Sequence, residues 1–408
     1  MLIEMTAKNF RSVKQAQTIS FVAMKDSRLS KSKISEFSEN LKVLKTSVII
    51  GPNGAGKSSF VRALDAISKI VLSKEDVENP LLSGFAGTAF AYSEVKGLPS
   101  EIEIKVLLPE GSGRSEEGQT VVAIYRLKAD TKHIFEESLF YAFGNSKKLM
   151  FERKILPSLD EEDITYKYRF GKLYRGEKKK LIKRLSSQRT FLAESAKKDG
   201  ETCMTLYSWI EKNMIIVPMG AATGSEKYIM DKLTENPSWT KQLIDYLWSI
   251  DITDIRAIKI FNDKLYFIHT NVTQHYSSTF MAESLSLRRL CVIGIAFFDS
   301  FTSDKTLVVD DFSMFLHPAI VKHIIEIFEN SGTKRSQLLA VDCNPSLLEN
   351  NLLRRDGVWF AQKTGDGATE YYSLADFKIP GMKNKIRMFY ENGAFGALPL
   401  TSEFSFVK

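Results

Sequence analysis

The sequence predicts an α/β protein built around a phosphate-binding loop, and three observations carry that reading. A short apolar, β-branched run, Ser47–Ile50, leads into the glycine-rich segment Gly51–Ser58, after which apolar residues recur at helical spacing through Phe60, Val61, Leu64, Ile67 and Ile70. A second apolar run, Leu307–Val309, ends in two carboxylates, Asp310 and Asp311. Between these, EIEIKVLL, TVVAIYRL, SLFYAF and KLMFER alternate over residues 85–155 as in a meander of strands.

The elements follow in order. Residues 2–23 read as two strands about a turn at Arg11-Ser12, and the Ser/Lys-rich stretch 25–41 reads as a loop. After the strand–loop–helix unit and the meander, residues 175–250 turn to helical spacing, with Trp209, Ile210, Trp248 and Ile250 as expected core. Strands are expected in IRAIKIFNDKLYFIHT, KTLVVDDF, SQLLAVD and GVWFAQK, and helices in SLSLRRLCVIGIAFFDSF and AIVKHIIEIFENSG, the latter ended by glycine. No internal repeat or long heptad run is apparent.

A chain of 408 residues allows two or three domains, or one large domain with an insertion. With 44% hydrophobic and 26% charged residues, the composition excludes disorder, collagen and fibrous coiled coil as accounts of the whole. Cys203, Cys291 and Cys343 are too few and too scattered for a disulfide framework or an all-thiolate zinc site. The opening MLIEMTAKNF lacks the apolar core of a signal peptide, and the longest apolar run, Leu290–Phe298, is far short of the ~20 residues of a membrane helix. A cytoplasmic protein is expected. His269 and His275 have no third ligand in view and make a weak metal candidate.

The net charge of +7 is unevenly spread: Lys167–Lys198 holds twelve Lys or Arg against Glu177 and Glu194. Lys178, Lys179, Lys180, Lys183 and Arg184 form a candidate contact surface for acidic protein or nucleic acid, or else a solvated helix face.

GPNGAGKS fits G-x-x-x-x-G-K-[ST] without deviation. Glycines at 51, 54 and 56 let the backbone curl so that its N–H groups converge on phosphate. The following helix offers its positive end. Asn53, Gly54, Ala55, Gly56, Lys57, Ser58 and Ser59 are the candidate nucleotide-binding residues. Lys57 supplies charge to the outer phosphates, and the Ser58 hydroxyl a ligand for Mg²⁺. At the end of the buried strand, Asp310 is the second candidate Mg²⁺ residue. Asp311 is the candidate catalytic group, orienting the attacking water.

Asn9–Ser12 ahead of this loop resembles the ATPase heads of the ABC/SMC/RecF/OLD group. MAESLSLRRL, LVVDDFSMFLHP, SQLLAVDCNPSLLENNLLRRDGVWFAQK, YSLADF and YENGAFGALP, with MLIEMTAKNFRSV and RGEKKKLIKRL, resemble more narrowly the RloA/AbiL-type ATPases of bacterial phage-defence operons. The resemblance spans residues 1–400 and implies an ABC-like head that pairs with a second head across ATP. It implies that Arg11 reaches the phosphates and that Ser284, in the signature-like segment Glu283–Arg289, meets the nucleotide of the opposite subunit. It further implies a homodimer or higher oligomer and an effector partner of the RloB or nuclease kind.

Three departures bear on turnover. Asp311 stands where the family has glutamate, and its carboxylate is drawn back by roughly 1.5 Å. Ser286 and Leu287 replace the signature glycine and threonine, and their side chains are expected to hinder close approach to the γ-phosphate. In the switch segment, Asp342, Cys343 and Asn344 replace a threonine–histidine–aspartate run, with Asp342 expected to add negative charge near phosphate unless it binds metal. A misplacement of ~1 Å costs on the order of 100-fold in rate. Retained binding of ATP and Mg²⁺ with slow hydrolysis is therefore expected.

The resulting expectation is an ABC-type P-loop ATPase head with an antiparallel β lobe and a helical insertion. Residues 1–165 form the N-terminal half of the head, 166–250 a basic helical insertion, and 251–408 the C-terminal half. The function expected is that of a nucleotide-dependent switch or scaffold in an anti-phage complex. A non-hydrolysing scaffold and a nucleic-acid-binding head of RecF/SMC type are the alternatives.

Overall fold

The computed structural model describes residues 1–25, 30–73, 89–92, 97–109, 112, 120–156, 164–198, 201–219, 225–349, 352–378 and 385–399. Its strands are β1 (Leu2–Lys8), β2 (Gln17–Ser20), β3 (Ile34–Ser38), β4 (Leu41–Leu44), β5 (Thr46–Ile50), β6 (Ser100–Leu107), β7 (Val121–Ala129), β8 (Ile134–Phe143), β9 (Ser146–Ile155), β10 (Tyr166–Phe170), β11 (Met214–Val217), β12 (Ile255–Phe261), β13 (Lys264–Thr270), β14 (His275–Thr279), β15 (Thr306–Asp310), β16 (Gln337–Asp342), β17 (Val358–Lys363) and β18 (Thr369–Ser373). The helices are α1 (Ser30–Lys33), α2 (Ser58–Leu72), α3 (Lys178–Arg184), α4 (Phe191–Lys198), α5 (Glu201–Lys212), α6 (Glu226–Glu235), α7 (Ser238–Ser249), α8 (Leu285–Ser303), α9 (Pro318–Glu329) and α10 (Ile386–Glu391).

The central layer is a six-stranded sheet in the order β11-β15-β16-β5-β17-β18, parallel except for the antiparallel edge strand β18. Every residue of β5, β15 and β16 is buried, which accounts for their continuous apolar runs. Alternate side chains feed two cores. Ile49, Val308, Leu339 and Val341 pack on one face with α2 and the β lobe. Val48, Ile50, Val309 and Ala340 pack on the other with α7, α8 and α9. A doubly covered parallel sheet of this kind is the expected α/β head.

The lobe is a seven-stranded antiparallel sheet, β10-β9-β8-β7-β6-β1-β2. Its inner residues, including Ile102, Ile104, Tyr125 and Leu139, pack toward α2, whose Phe60 meets Phe21 edge-on at 5.9 Å. Its outer face carries cross-strand ion pairs such as Lys105–Glu4, Arg126–Glu101 and Arg169–Glu152.

Residues 166–250 contribute five helices among the described residues, but also two strands, β10 at the lobe edge and β11 at the edge of the parallel sheet. The stretch 25–41, expected as a loop, instead holds α1 and the hairpin strand β3, paired with β4. Ile34 and Val43 are buried, and such sparse apolar residues among Ser and Lys hid the hairpin. Trp209, Ile210 and Ile250 are buried as expected, whereas Trp248 is 39% exposed. Its indole N–H donates to the Ile255 carbonyl and the Arg256 guanidinium lies over its ring, so the side chain is held at the surface rather than in the core. No described helix is long and apolar enough to cross a membrane.

Candidate functional site

The glycine-rich loop leaves β5 and enters α2. At Gly51 a Cβ would lie 2.2 Å from the Ala361 carbonyl oxygen on the neighbouring strand β17. Gly56 has φ +95°, and a Cβ there would fall 2.0 Å from Thr369 Oγ1 and 2.3 Å from Ser12 Oγ. The glycines are thus required by close packing behind the loop as well as by its curl. No side chain caps the start of α2; the Ser59 and Phe60 amides turn back to the Gly56 and Lys57 carbonyls at 3.0 and 3.3 Å, and the helix presents its positive end to the loop.

The loop is gripped from two sides by residues that sequence reasoning missed. Thr369, which opens β18, donates to the Ala55 carbonyl at 2.7 Å, and its hydroxyl lies 2.8 Å from that of Ser12. Tyr371 donates to the Gly56 carbonyl at 2.8 Å. Ser12 also shares a 2.9 Å hydrogen bond with Ser59, so the Ser59 hydroxyl is engaged within the protein. Arg11 and its neighbour Asn9 both adopt positive φ, at +54° and +48°. Asn9 steadies this turn by donating to the Leu98 carbonyl and accepting from the Phe90 amide.

A cleft of about 460 Å³ opens over the loop and is lined by Arg11, Gly54, Gly56, Lys57, Ser58 and Ser59 together with Phe90, Tyr92 and Lys363. This volume lies within the range of small-molecule sites. Asn53 is exposed at the loop tip, and the Ala55 side chain is buried behind it. The Lys57 ammonium folds onto the Pro52 carbonyl at 2.9 Å.

Beneath the loop lie three aspartates with different partners. Asp310 is buried, and its Oδ1 accepts from the Ser58 hydroxyl at 2.9 Å. Asp342 is saturated: its carboxylate accepts from the Ser313 hydroxyl at 3.0 Å and from the amides of Ser313, Cys343 and Asn344. The carboxylate ties off the turn after β16, and its negative charge is still felt at Asp311. Asp311 is half-buried, has φ +47°, and its carboxylate makes no hydrogen bond to a described residue. Burial, reinforced by Asp310 and Asp342, raises its pKa, with Lys57 and Arg289 opposing. A half-buried carboxylate with raised proton affinity and free oxygens has the character of a general base.

For a divalent cation the donors at hand are the Ser58 hydroxyl and the Asp310 carboxylate. Both are hard oxygens, in a group of acids whose mutual repulsion raises the Asp311 pKa. Mg²⁺ needs few protein ligands because waters and substrate phosphates complete its octahedron. The donor set fits that ion, which would neutralise charge on the phosphate oxygens when bound.

The signature-like segment lies apart from the cleft lining. Ser284 caps α8, accepting from the Leu287 amide at 3.2 Å, and is exposed. Leu287 is buried, so the expected steric hindrance from it does not arise. Ser286 turns its hydroxyl onto the Phe315 carbonyl at 2.6 Å. Glu283 accepts from His269, whose other ring nitrogen meets Asp254 at 2.7 Å. Burial works to lower the His269 pKa, but the hydrogen bonds to Asp254 and Glu283 outweigh it and the net shift is upward. Cys343 is exposed, with its thiol pKa raised by partial burial and by Asp342.

Fold and site together define an α/β P-loop domain of the ATPase kind. Residues 47–341 match the model of a family described as "AAA domain, putative AbiEii toxin, Type IV TA system", and the chain belongs to that family. Among solved structures, it is similar to an SMC head bound to the C-terminal winged-helix domain of ScpA (TM-score 0.48, 13% identity, 91% of this chain and 97% of that one). It is also similar to the SMC head domain of Thermotoga maritima (TM-score 0.43, 14% identity, 93% and 99%). A third similar structure is a Pyrococcus furiosus SMC head with an extended coiled coil bound to the C-terminal domain of ScpA (TM-score 0.43, 11% identity, 91% and 96%). No curated protein matches significantly.

Proposed function

We propose that the chain is an RloA/AbiL-type head that binds ATP with Mg²⁺, hydrolyses it slowly, and uses the bound state to gate or hold an effector in an anti-phage complex. The Ser58–Asp310 hydrogen bond carries the reading, since it sets a hydroxyl and a carboxylate together at the floor of the phosphate loop. Lys57, the positive end of α2 and Arg11 would bind the phosphates, and Asp311 would take the proton of the attacking water. Slow turnover is supported by the short Asp311 side chain and by Cys343, a weak hydrogen-bonding group where the resemblance places a histidine. The exposed Ser284 is available to a second head, so the working form is a homodimer or higher oligomer. The test is calorimetry with ATP and Mg²⁺ on wild type and Lys57→Ala, followed by phosphate release. Binding lost in Lys57→Ala and a wild-type rate below ~1 s⁻¹ are expected. Equal affinity in the two proteins would refute nucleotide binding at this loop. A faster rate would refute the slow switch, and no release at all would favour a non-hydrolysing scaffold. The defence role is read by phage plating on cells carrying each form, with protection lost in Lys57→Ala.

A further inference from the structure

The basic stretch between Lys167 and Lys198 folds as the free edge of the lobe sheet and the helices beyond it. On β10 the side chains alternate. Tyr168 and Phe170 turn inward against Phe191, with ring centroids 6.2 and 5.6 Å away, while Lys167 and Arg169 are exposed on the opposite face. Helix α3 is anchored by the buried Leu181, and Lys178, Lys179, Lys180, Lys183 and Arg184 are all exposed. Lys178 lies 5.0 Å from the Phe170 ring centroid and 5.7 Å from that of Tyr174, which sets the helix against the end of the strand.

The two acids of the stretch do little to neutralise it. Glu177 pairs with Lys180, and Glu194 with Arg189 and Lys198. Glu152 from β9 takes Arg169. Lys167, Lys178, Lys179, Lys183 and Arg184 have no ion-pair partner among the described residues. Charges on an edge strand guard against unwanted strand pairing, which accounts for Lys167 and Arg169 but not for the cations of α3.

The kind of partner follows from what the surface lacks. Among the described residues from 164 to 198 there is no exposed large apolar side chain, and the aromatic rings of β10 are packed inward. A protein interface is organised round a desolvated apolar or aromatic centre, and single-stranded nucleic acid is held by stacking on exposed rings. Neither is provided. What remains is an array of flexible cations, the chemistry that neutralises a phosphate backbone without reading bases. We propose that α3 and the outer face of β10 form a binding surface for double-stranded nucleic acid, sequence-independent and separate from the phosphate loop.

The experiment is fluorescence anisotropy of a labelled duplex of about 30 base pairs, titrated with the full chain at several salt concentrations. Wild type is expected to bind with a slope of log K against log salt of about −3 to −5. The triple variant Lys179→Glu/Lys183→Glu/Arg184→Glu, whose fold is checked by its melting temperature, should bind far more weakly with a slope shallower by about 3. Two sequence-unrelated duplexes should bind alike, and Lys57→Ala should keep the wild-type affinity. An unchanged slope in the triple variant overturns the proposal. So does loss of duplex binding in Lys57→Ala, which would place the contact at the phosphate loop. Competition by polyglutamate as strong as by duplex would assign the surface to acidic protein, and tighter binding of single strands would overturn the duplex assignment.

Discussion

The Arg289 guanidinium donates to the main-chain carbonyls of both Asp310 and Asp311, at 2.7 and 3.1 Å. Arg289 is fully buried on α8, five positions after the capping Ser284, so one side chain joins the signature-like helix to the strand end that bears the acids. Burial lowers its pKa, and Asp311, Asp310 and Asp342 counteract this. Arg289→Met would remove both hydrogen bonds; the Asp311 carbonyl keeps the Met314 amide at 3.0 Å, while the Asp310 carbonyl loses this donor, at a cost of roughly 1–3 kcal/mol. The expected result is a lower denaturant midpoint, together with a fall in phosphate release larger than any change in ATP affinity. Lys at this position should recover only part of either, because it cannot span both carbonyls.

Asp311 gives a prediction of opposite sign. Its folded-state pKa is raised, so folding is favoured while it is protonated, and that contribution is lost as pH rises through the folded value. Asp311→Asn should therefore raise the melting temperature of the nucleotide-free protein at neutral pH. The gain should shrink as pH falls toward the unperturbed value of 3.8. The same variant should abolish whatever phosphate release the wild type shows. A neutral-pH melting temperature below that of wild type would contradict the raised pKa.

Asp311→Glu, by contrast, should change turnover little on its own, since Cys343 and Ser286 also depart from the family pattern. Groups that act as a unit do not restore a rate one at a time. Steady-state phosphate release by this variant, and by one also carrying Cys343→His, decides the matter. A large gain from Asp311→Glu alone would show that side-chain reach is the only deficit.

Gly56→Ala should cost nucleotide affinity by about tenfold or more, ~1.4 kcal/mol at the least. Its Cβ would collide with Thr369 and Ser12, and φ +95° disfavours any side chain. Adding Thr369→Gly relieves the nearest collision but not the backbone. Calorimetry compares Gly56→Ala/Thr369→Gly with Thr369→Gly alone, since Thr369 also holds the Ala55 carbonyl and Ser12 Oγ still lies 2.3 Å from the added Cβ: equal affinity in those two would mean that crowding at Thr369 alone was responsible.

In the lobe, Glu137 and Arg153 form a fully buried ion pair at 2.8 Å. Glu137 also accepts from the Tyr125 hydroxyl and from the Phe191 and Leu192 amides at the start of α4. Glu137→Gln strands the Arg153 charge and should destabilise by roughly 3–5 kcal/mol. Adding Arg153→Met should return part of that loss, as read from urea midpoints.

The phosphate loop, its flanking strand and helix, and the acid-ended strand were legible because each is a local pattern: an apolar run, a glycine spacing, a helical period. Ser12, Thr369 and Tyr371 were not, since they are ordinary residue types whose role exists only where β18 and the β1–β2 turn meet behind the loop. Asp342 was legible as a charge but not as the residue that collects the amides following it in the turn Asp342-Cys343-Asn344-Pro345. His269 drew notice only as a poor metal ligand. Asp254 and Glu283, which clamp it, lie 15 and 14 positions away in no recognisable motif.

The order of the parallel sheet also sets a timetable for synthesis. β5 leaves the ribosome well before its two neighbours in the sheet, β16 and β17, which begin only at Gln337 and Val358. Thr369, which fastens the loop, is 314 positions beyond Ala55. At ~5–20 residues per second, roughly 15–60 s pass between translation of the loop and translation of its fastener. Until the stretch from β16 to Thr369 is made, the glycine-rich loop lacks both neighbouring strands of β5 and the hydroxyl that holds the Ala55 carbonyl, so the packing behind it is assembled late and all at once.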